Sequence, residues 1–190
     1  MTDPIVMVKA TPLLSVLAFM DENLAADAKE SVLNGVAPEF PEEVRKVRER
    51  RIIASERFPV AFLNRLIEAS AKSLNRSALE VSHRIGRMGA ENASSGILKL
   101  ALAMISMPSL LRKLEPVWSQ LYTHGRTTNE CRDKSATVEL HDFPYVSATQ
   151  CARVTGMFEW FAQKAERTAA VRHVSCRASR DPVCRWDISW

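Results

Sequence analysis

Cys151, His173, Cys176 and Cys184 are the residues of this 190-residue chain whose types and spacing could do chemistry. Gaps of 21, 2 and 7 residues separate them. The first falls on an expected helix and the other three on an expected hairpin. Thiolates and an imidazole converging from two elements are how a structural zinc site is built. Four protein ligands leave no position open for water, so such a zinc would be structural, not catalytic. Each residue also has a plainer use. Cys151 alone would be a small core residue. Cys176 and Cys184 alone could form a cross-strand disulfide or stay free thiols. Cys131 lies on a different expected hairpin and is left out of the ligand set.

The geometry of the set is uneven. Cys176 and Cys184 are symmetric about Arg180, so a turn centred there places both thiols on one side of a two-stranded ladder. Cys184 alternates with Trp186, Ile188 and Trp190, which makes that side the apolar one. His173 precedes Cys176 by three residues. In a regular strand this odd spacing turns it to the opposite face. A bulge or a twisted strand end would be needed to bring it round.

The elements that must position these residues read as follows. Residues 1–11 lack a clear period and are expected to be a flexible N-terminus. Residues 12–190 read as one domain. Helices are expected from Pro12, over Ala25–Leu33, over Phe58–Leu74 and from Ser77, where Ser77 and Glu80 have capping-box spacing. Gly86 and Gly89 within that last helix point to close packing or an end. Ile97–Met107 is apolar on most sides and is expected to be a central buried helix. Ser109–Tyr122 is expected to be helical with a kink at Pro116. The pattern then becomes strand-like: a hairpin over residues 127–142, a helix capped by Ser147 running to about Arg167, and a closing hairpin over residues 170–190. The expected fold class is α+β, a four-stranded antiparallel sheet packed against a cluster of helices.

Composition narrows the function classes. Apolar residues make up 46% and charged residues 25%, with a net charge of +4, too small to argue for nucleic acid. The charged stretch from Pro41 to Ser55 mixes signs and reads as a solvated helix face. The N-terminus lacks a signal-peptide pattern, and the longest apolar run is about half of a membrane span. A cytoplasmic chain with no membrane span is expected, and in a reducing cytoplasm clustered cysteines are more often metal ligands or reactive thiols than disulfides.

The C-terminal Cys/His/Cys/Cys arrangement resembles the bacterial vinyl-reductase-like (4-vinyl reductase) domain, a fold shared with phenol-sensing domains and TRAPP transport subunits. In the phenol sensors a zinc is held by a cysteine on the last long helix, an acidic residue and two cysteines of the final hairpin. The resemblance implies Cys151, Cys176 and Cys184 as ligands, with His173 where the acidic residue stands, across the same three-residue gap. A second resemblance, to a myxobacterial paralogous family of unknown function, rests on Phe58-Pro59-Val60, Ile85-Gly86-Arg87, Met107-Pro108-Ser109 and Trp186-Asp187-Ile188-Ser189-Trp190. Together they cover residues 12–190. Two departures matter. The turn Ser179-Arg180-Asp181-Pro182 lacks the family's glycine, and no phenol-contacting residues can be placed. The related haem–nitric-oxide domains carry Tyr-x-Ser-x-Arg; the nearest segment here runs Tyr145-Val146-Ser147-Ala148-Thr149, with threonine in place of arginine, so no haem is expected.

No nucleophile elbow, phosphate-binding glycine loop or dinucleotide fingerprint occurs, and His83, His124 and His141 are scattered. An enzyme is not expected. Two functions remain. One is a zinc-stabilised small-molecule-binding or sensory module with an apolar pocket, to which Met88, Met104, Met107 and Met157 could contribute. The other is a dimeric protein-interaction or scaffold module of the TRAPP-like kind. The expected partners are a second copy, an apolar small molecule or another protein.

Overall fold

Two helices packed backbone to backbone form the centre of the molecule, α5 (Ala78–Ala93) and the last helix, α8 (Ala148–Ala165). A Cβ built on Gly86 would lie 1.9 Å from the Arg153 carbonyl oxygen, and one on Gly156 would lie 2.0 Å from that of His83. Only glycine permits this approach, which is the packing role expected of Gly86. Ser82 Oγ donates to the Thr149 carbonyl at 2.6 Å. Glu159 accepts from Arg87 Nη1 at 3.0 Å and lies 3.0 Å from His83 Nε2, while Arg87 Nη2 donates to Gln163. His83 is thus a helix-packing residue.

The structure, a computed structural model, describes residues 4–94, 105–145 and 147–190. Around the central pair lie α1 (Ala10–Asn23), α2 (Ala26–Val36), α3 (Pro41–Arg48) and α4 (Val60–Ser73). On α3, Arg45 bridges Glu42 and Glu49, so the charged stretch is a solvated face with internal pairs. The helix expected over Ile97–Met107 falls largely outside the described residues; Met107 itself opens α6 (Met107–Leu111). The long helix expected over Ser109–Tyr122 is divided into α6 and α7 (Leu114–Leu121). Pro116 has no N–H to give the Arg112 carbonyl and its ring crowds that oxygen, so the helix stops and restarts with the proline in the new first turn. Ser77 precedes α5 as expected, but its side chain makes no capping bond.

The N-terminus departs from expectation. Met7–Lys9 forms a strand, β1, paired with β2 (Arg57–Pro59), and Val6, Val8 and Ala10 are buried. Val8 also bridges to Tyr122. A three-residue strand shows no alternation of its own, and its partner lies some fifty residues away, so the local sequence gives no sign of it.

The second sheet has four antiparallel strands in the order β3 (Arg126–Cys131), β4 (Ser135–His141), β6 (Cys184–Ser189) and β5 (Ala170–Ser175). Ala136, Val138 and Leu140 of β4 and Cys184, Trp186 and Ile188 of β6 are buried. This is the alternation expected of strands with one covered face. Helix α8 covers that face, with Phe158 edge-on to Trp186 at 5.3 Å and Thr155 accepting from Trp186 Nε1. The fold is therefore α+β, with the predicted four-stranded sheet against helices.

Candidate metal cluster and apolar cavity

The four residues singled out by spacing do meet. One ligand atom from each of Cys151, His173, Cys176 and Cys184 lies within 4.8 Å of all the others. Cys151 comes from the first turn of α8, whose start is fixed by Ser147 accepting from Gln150 N. Cys184 opens β6, and Cys176 follows β5. The sulfurs of Cys151 and Cys184 are 3.5 Å apart, and those of Cys176 and Cys151 3.7 Å. Four thiols are free, so the disulfide alternative is not realised. Tetrahedral zinc with bonds of about 2.3 Å to sulfur requires sulfurs roughly 3.8 Å apart. The buried cluster could hold a metal of that kind.

A β-bulge places His173. It stands opposite Trp186, while Ser175, two residues on, stands opposite Arg185, so β5 has one residue more than its partner here. The extra residue reverses the alternation. His173 and Cys176 then share the inner face despite their odd spacing, and Val174 is turned outward, 46% exposed. The imidazole stacks on Trp186 at 4.8 Å, and its Nε2 is buried with no hydrogen-bond partner. A buried ring nitrogen without a partner is costly unless something coordinates it. The turn beyond is tied by Asp181, which accepts from Cys176 N at 2.7 Å. Arg180 takes the left-handed conformation there, with φ 71°, in place of the glycine such a turn favours.

The thiols share their protons unequally. The hydrogen bond from Cys151 pulls the Cys184 thiol far below its ordinary range against the opposing effect of burial, with help from His173 and the Arg177 N–H. The bond to Cys184, then burial, push Cys151 the other way. Metal ligation requires deprotonated thiols, and the hydrogen bonds that converge on Cys184 favour its charged form. Cys131 is exposed on β3, apart from the cluster. His124 and His141 also stand apart, bonded to Thr123 and Thr128 respectively.

The second feature is an apolar pocket, expected from the methionine-bearing helices but without a position. A cavity of about 610 Å³ lies among α1, α5, α6, α7 and α8. Among the described residues, its walls are mostly apolar, with Ile85, Leu114, Leu121, Val154, Met157 and Phe161 prominent. Of the four methionines expected at a pocket, Met157 lines it, Met107 is core and Met88 packs against the core; Met104 lies outside the described residues. At one side Trp118 stacks on Tyr122 at 4.2 Å, and Phe143 meets both edge-on. Tyr122 Oη accepts from Gln150 Nε2 at 3.2 Å and from Arg153 Nη2 at 2.9 Å. Thr149, at the position where a Tyr-x-Ser-x-Arg signature would carry arginine, donates to Glu68 at 3.0 Å.

No protein-family model matches the sequence, and no curated protein matches it. Solved structures do. A mutant H-NOX (haem–nitric oxide/oxygen binding) protein from S. oneidensis in the Fe(II) state superposes with a TM-score of 0.69 at 14% identity, covering 95% of each chain. The T. tengcongensis H-NOX gives 0.67 at 14% identity, covering 95% of this chain and 94% of the other. An oxygen-binding H-NOX domain related to soluble guanylate cyclases gives 0.66 at 14% identity over 95% and 94%. The fold is H-NOX-like, which overturns the vinyl-reductase, TRAPP and myxobacterial assignments. The myxobacterial one rested on four short segments, and the others on a ligand pattern confined to one helix and one hairpin. A local brace of that kind does not specify how the preceding helices are arranged, and the helices decide the fold. No helix among the described residues is long and apolar enough to cross a membrane.

Proposed function

We propose that this chain is a non-enzymatic small-molecule-binding module, a sensory domain whose ligand occupies the cavity beside α5 and α8 and whose last hairpin is braced by a structural zinc. The observation that carries the reading is the cavity itself. Its volume and its apolar walls with a few polar groups are those of sites that enclose small molecules. It lies in a fold whose solved examples are described as binding oxygen or bearing haem.

Haem does not fit this chain's residues. Haem iron is held by histidine, cysteine thiolate, methionine paired with histidine, or tyrosine. No histidine or cysteine lines the cavity among the described residues, and residues 95–104 contain neither. The one tyrosine present, Tyr122, already accepts two hydrogen bonds at its oxygen. Met157 stands without an imidazole partner. The same general architecture therefore serves a different ligand here.

The zinc reading follows from the chemistry of the donor set. Three sulfurs and an imidazole at tetrahedral spacings, with an otherwise unpartnered ring nitrogen, suit a closed zinc site. Such a metal would fasten the start of α8 to both strands of the closing hairpin, holding one wall of the cavity without taking part in binding.

Calorimetric titration with 1-octanol, a neutral apolar probe, tests the cavity reading. Saturable binding is expected, and Ala90→Phe, which puts a ring into the cavity from a buried position on α5, should abolish it. Binding unaffected by that variant would contradict the reading.

A further inference from the structure

Arg153 is an unusual residue for an apolar wall. It is 6% exposed, it lines the cavity, and its Nε is buried with no hydrogen-bond partner. Its Nη2 donates to Tyr122 Oη at 2.9 Å and to Gln150 Oε1 at 2.7 Å, both neutral groups. Among the described residues no carboxylate pairs with it. Residues 95–104 contain no acidic side chain. A permanently charged guanidinium buried without a counter-ion is strongly unfavourable unless something completes it.

The charges around it point the same way. The cavity lining includes Lys9, Lys113 and Arg153 and, among the described residues, no aspartate or glutamate. Glu115 on α7 and Glu68 on α4 are engaged elsewhere. Glu115 accepts from the backbone and hydroxyl of Thr127, and Glu68 accepts from Thr149. The backbone oxygen of Arg153 is packed against Gly86, which fixes the helix turn that carries the guanidinium. The side chain is further held by Tyr122 and Gln150. These contacts pre-orient a donor beside an apolar chamber.

We infer that the cavity takes an apolar carboxylate, an aliphatic or aromatic acid whose body fills the chamber and whose head accepts from Arg153. This rests on the ligand-binding reading of the cavity and adds to it the chemical class of the ligand. The carboxylate supplies the missing counter-ion. A charge-assisted hydrogen bond in a buried site is stronger than a neutral one. An acid should therefore bind about tenfold or more tighter than the alcohol of equal length.

The test compares octanoate with 1-octanol by calorimetry on the full chain at pH 8, where the acid is ionised. Octanoate is expected to bind at least tenfold more tightly. Arg153→Met should bring octanoate down to the affinity of 1-octanol and leave 1-octanol unchanged. Arg153→Lys, which keeps a charge there, should retain part of the preference and serves if the methionine variant does not fold. Equal binding of acid and alcohol by the unaltered protein would overturn the carboxylate assignment while leaving the cavity reading intact. A preference for octanoate that survives both substitutions would also overturn it, because the lysines and not Arg153 would then be responsible. Binding of neither probe would overturn both.

Discussion

Replacing Gly156 or Gly86 with alanine should destabilise the protein, although helix propensity alone predicts the reverse. Both glycines lie within helices, where alanine is favoured by about 1 kcal/mol. An added Cβ would sit 2.0 Å from the His83 oxygen in the first case and 1.9 Å from the Arg153 oxygen in the second. Carbon–oxygen contacts need more than 3 Å, so α5 and α8 would have to part by roughly 1 Å or more along their whole contact. Both obstacles are backbone atoms inside helices and cannot swing aside. Overpacking of this kind costs about 1–3 kcal/mol and more when backbone must move. A net loss of about 2–3 kcal/mol is expected for each single variant, or a melting temperature lower by about 5–10 °C in a chain of this size. Gly35→Ala is the control, because nothing lies within 4 Å of its added Cβ, and it should be stabilising by up to about 1 kcal/mol. Gly89→Ala meets only the Ser15 side chain and should be close to neutral. Thermal and urea melts of the four variants check the series. If Gly156→Ala and Gly86→Ala melt at or above the parent, the backbone contact between these helices is not as described, and the cavity wall they form is in doubt.

Other consequences can be checked with the same melts. Chelation, or Cys184→Ser, should lower stability by several kcal/mol and release zinc, because metal binding in such a site is folding free energy; elemental analysis before and after treatment reads it, and unchanged melting would remove the brace. Glu115 gives a pH dependence. Burial raises its carboxyl, but the backbone N–H of Thr127, the Ser119 hydroxyl and the Thr127 hydroxyl together hold it below its ordinary 4.5. Its contribution is thus present above about pH 4.5 and lost as the pH falls through the lowered value, so the stability gap between the parent and Glu115→Gln, about 1–2 kcal/mol near neutrality, should close in acid. Arg180→Gly should stabilise by about 1 kcal/mol, since φ 71° suits glycine better than arginine; a loss instead would show that the arginine side chain contributes at that turn.

The candidate site was legible in proportion to how local it is. Cys151, Cys176 and Cys184 could be brought together from strand alternation, a turn centre and one helical stripe, and the structure does so. His173 was not placed by alternation, because a single extra residue at Val174 reverses the face and bulges leave little trace in a sequence. The sheet followed from the period-two pattern of β4 and β6. Strand β1 did not, since its three residues gain their structure from Arg57–Pro59 and Tyr122. Gly86 and Gly89 point to close packing or an end, whereas Gly156 gives no sign of its contact with α5 inside a well-patterned helix. An apolar pocket is expected from the methionine-bearing helices, but its position and the place of Arg153 in its wall are not legible. An arginine near the start of α8 looks like any helix surface residue until the packing of α5 and α7 shows that it is enclosed. The whole-fold likeness is illegible for a related reason. The metal-ligand spacing is a short-range pattern, whereas the arrangement of helices that defines the fold depends on contacts far apart in sequence.

The cavity is tested most directly by methyl-resolved nuclear magnetic resonance during titration with 1-octanol. Saturable shifts at lining methyls, among them Ile85, Ile105, Leu110, Leu114, Val117, Leu121 and Val154, with Val44, Val47, Val138 and Ile188 unmoved, are predicted from the lining. Shifts scattered over the surface, or none at the lining methyls, would contradict the claim that this domain encloses a small molecule.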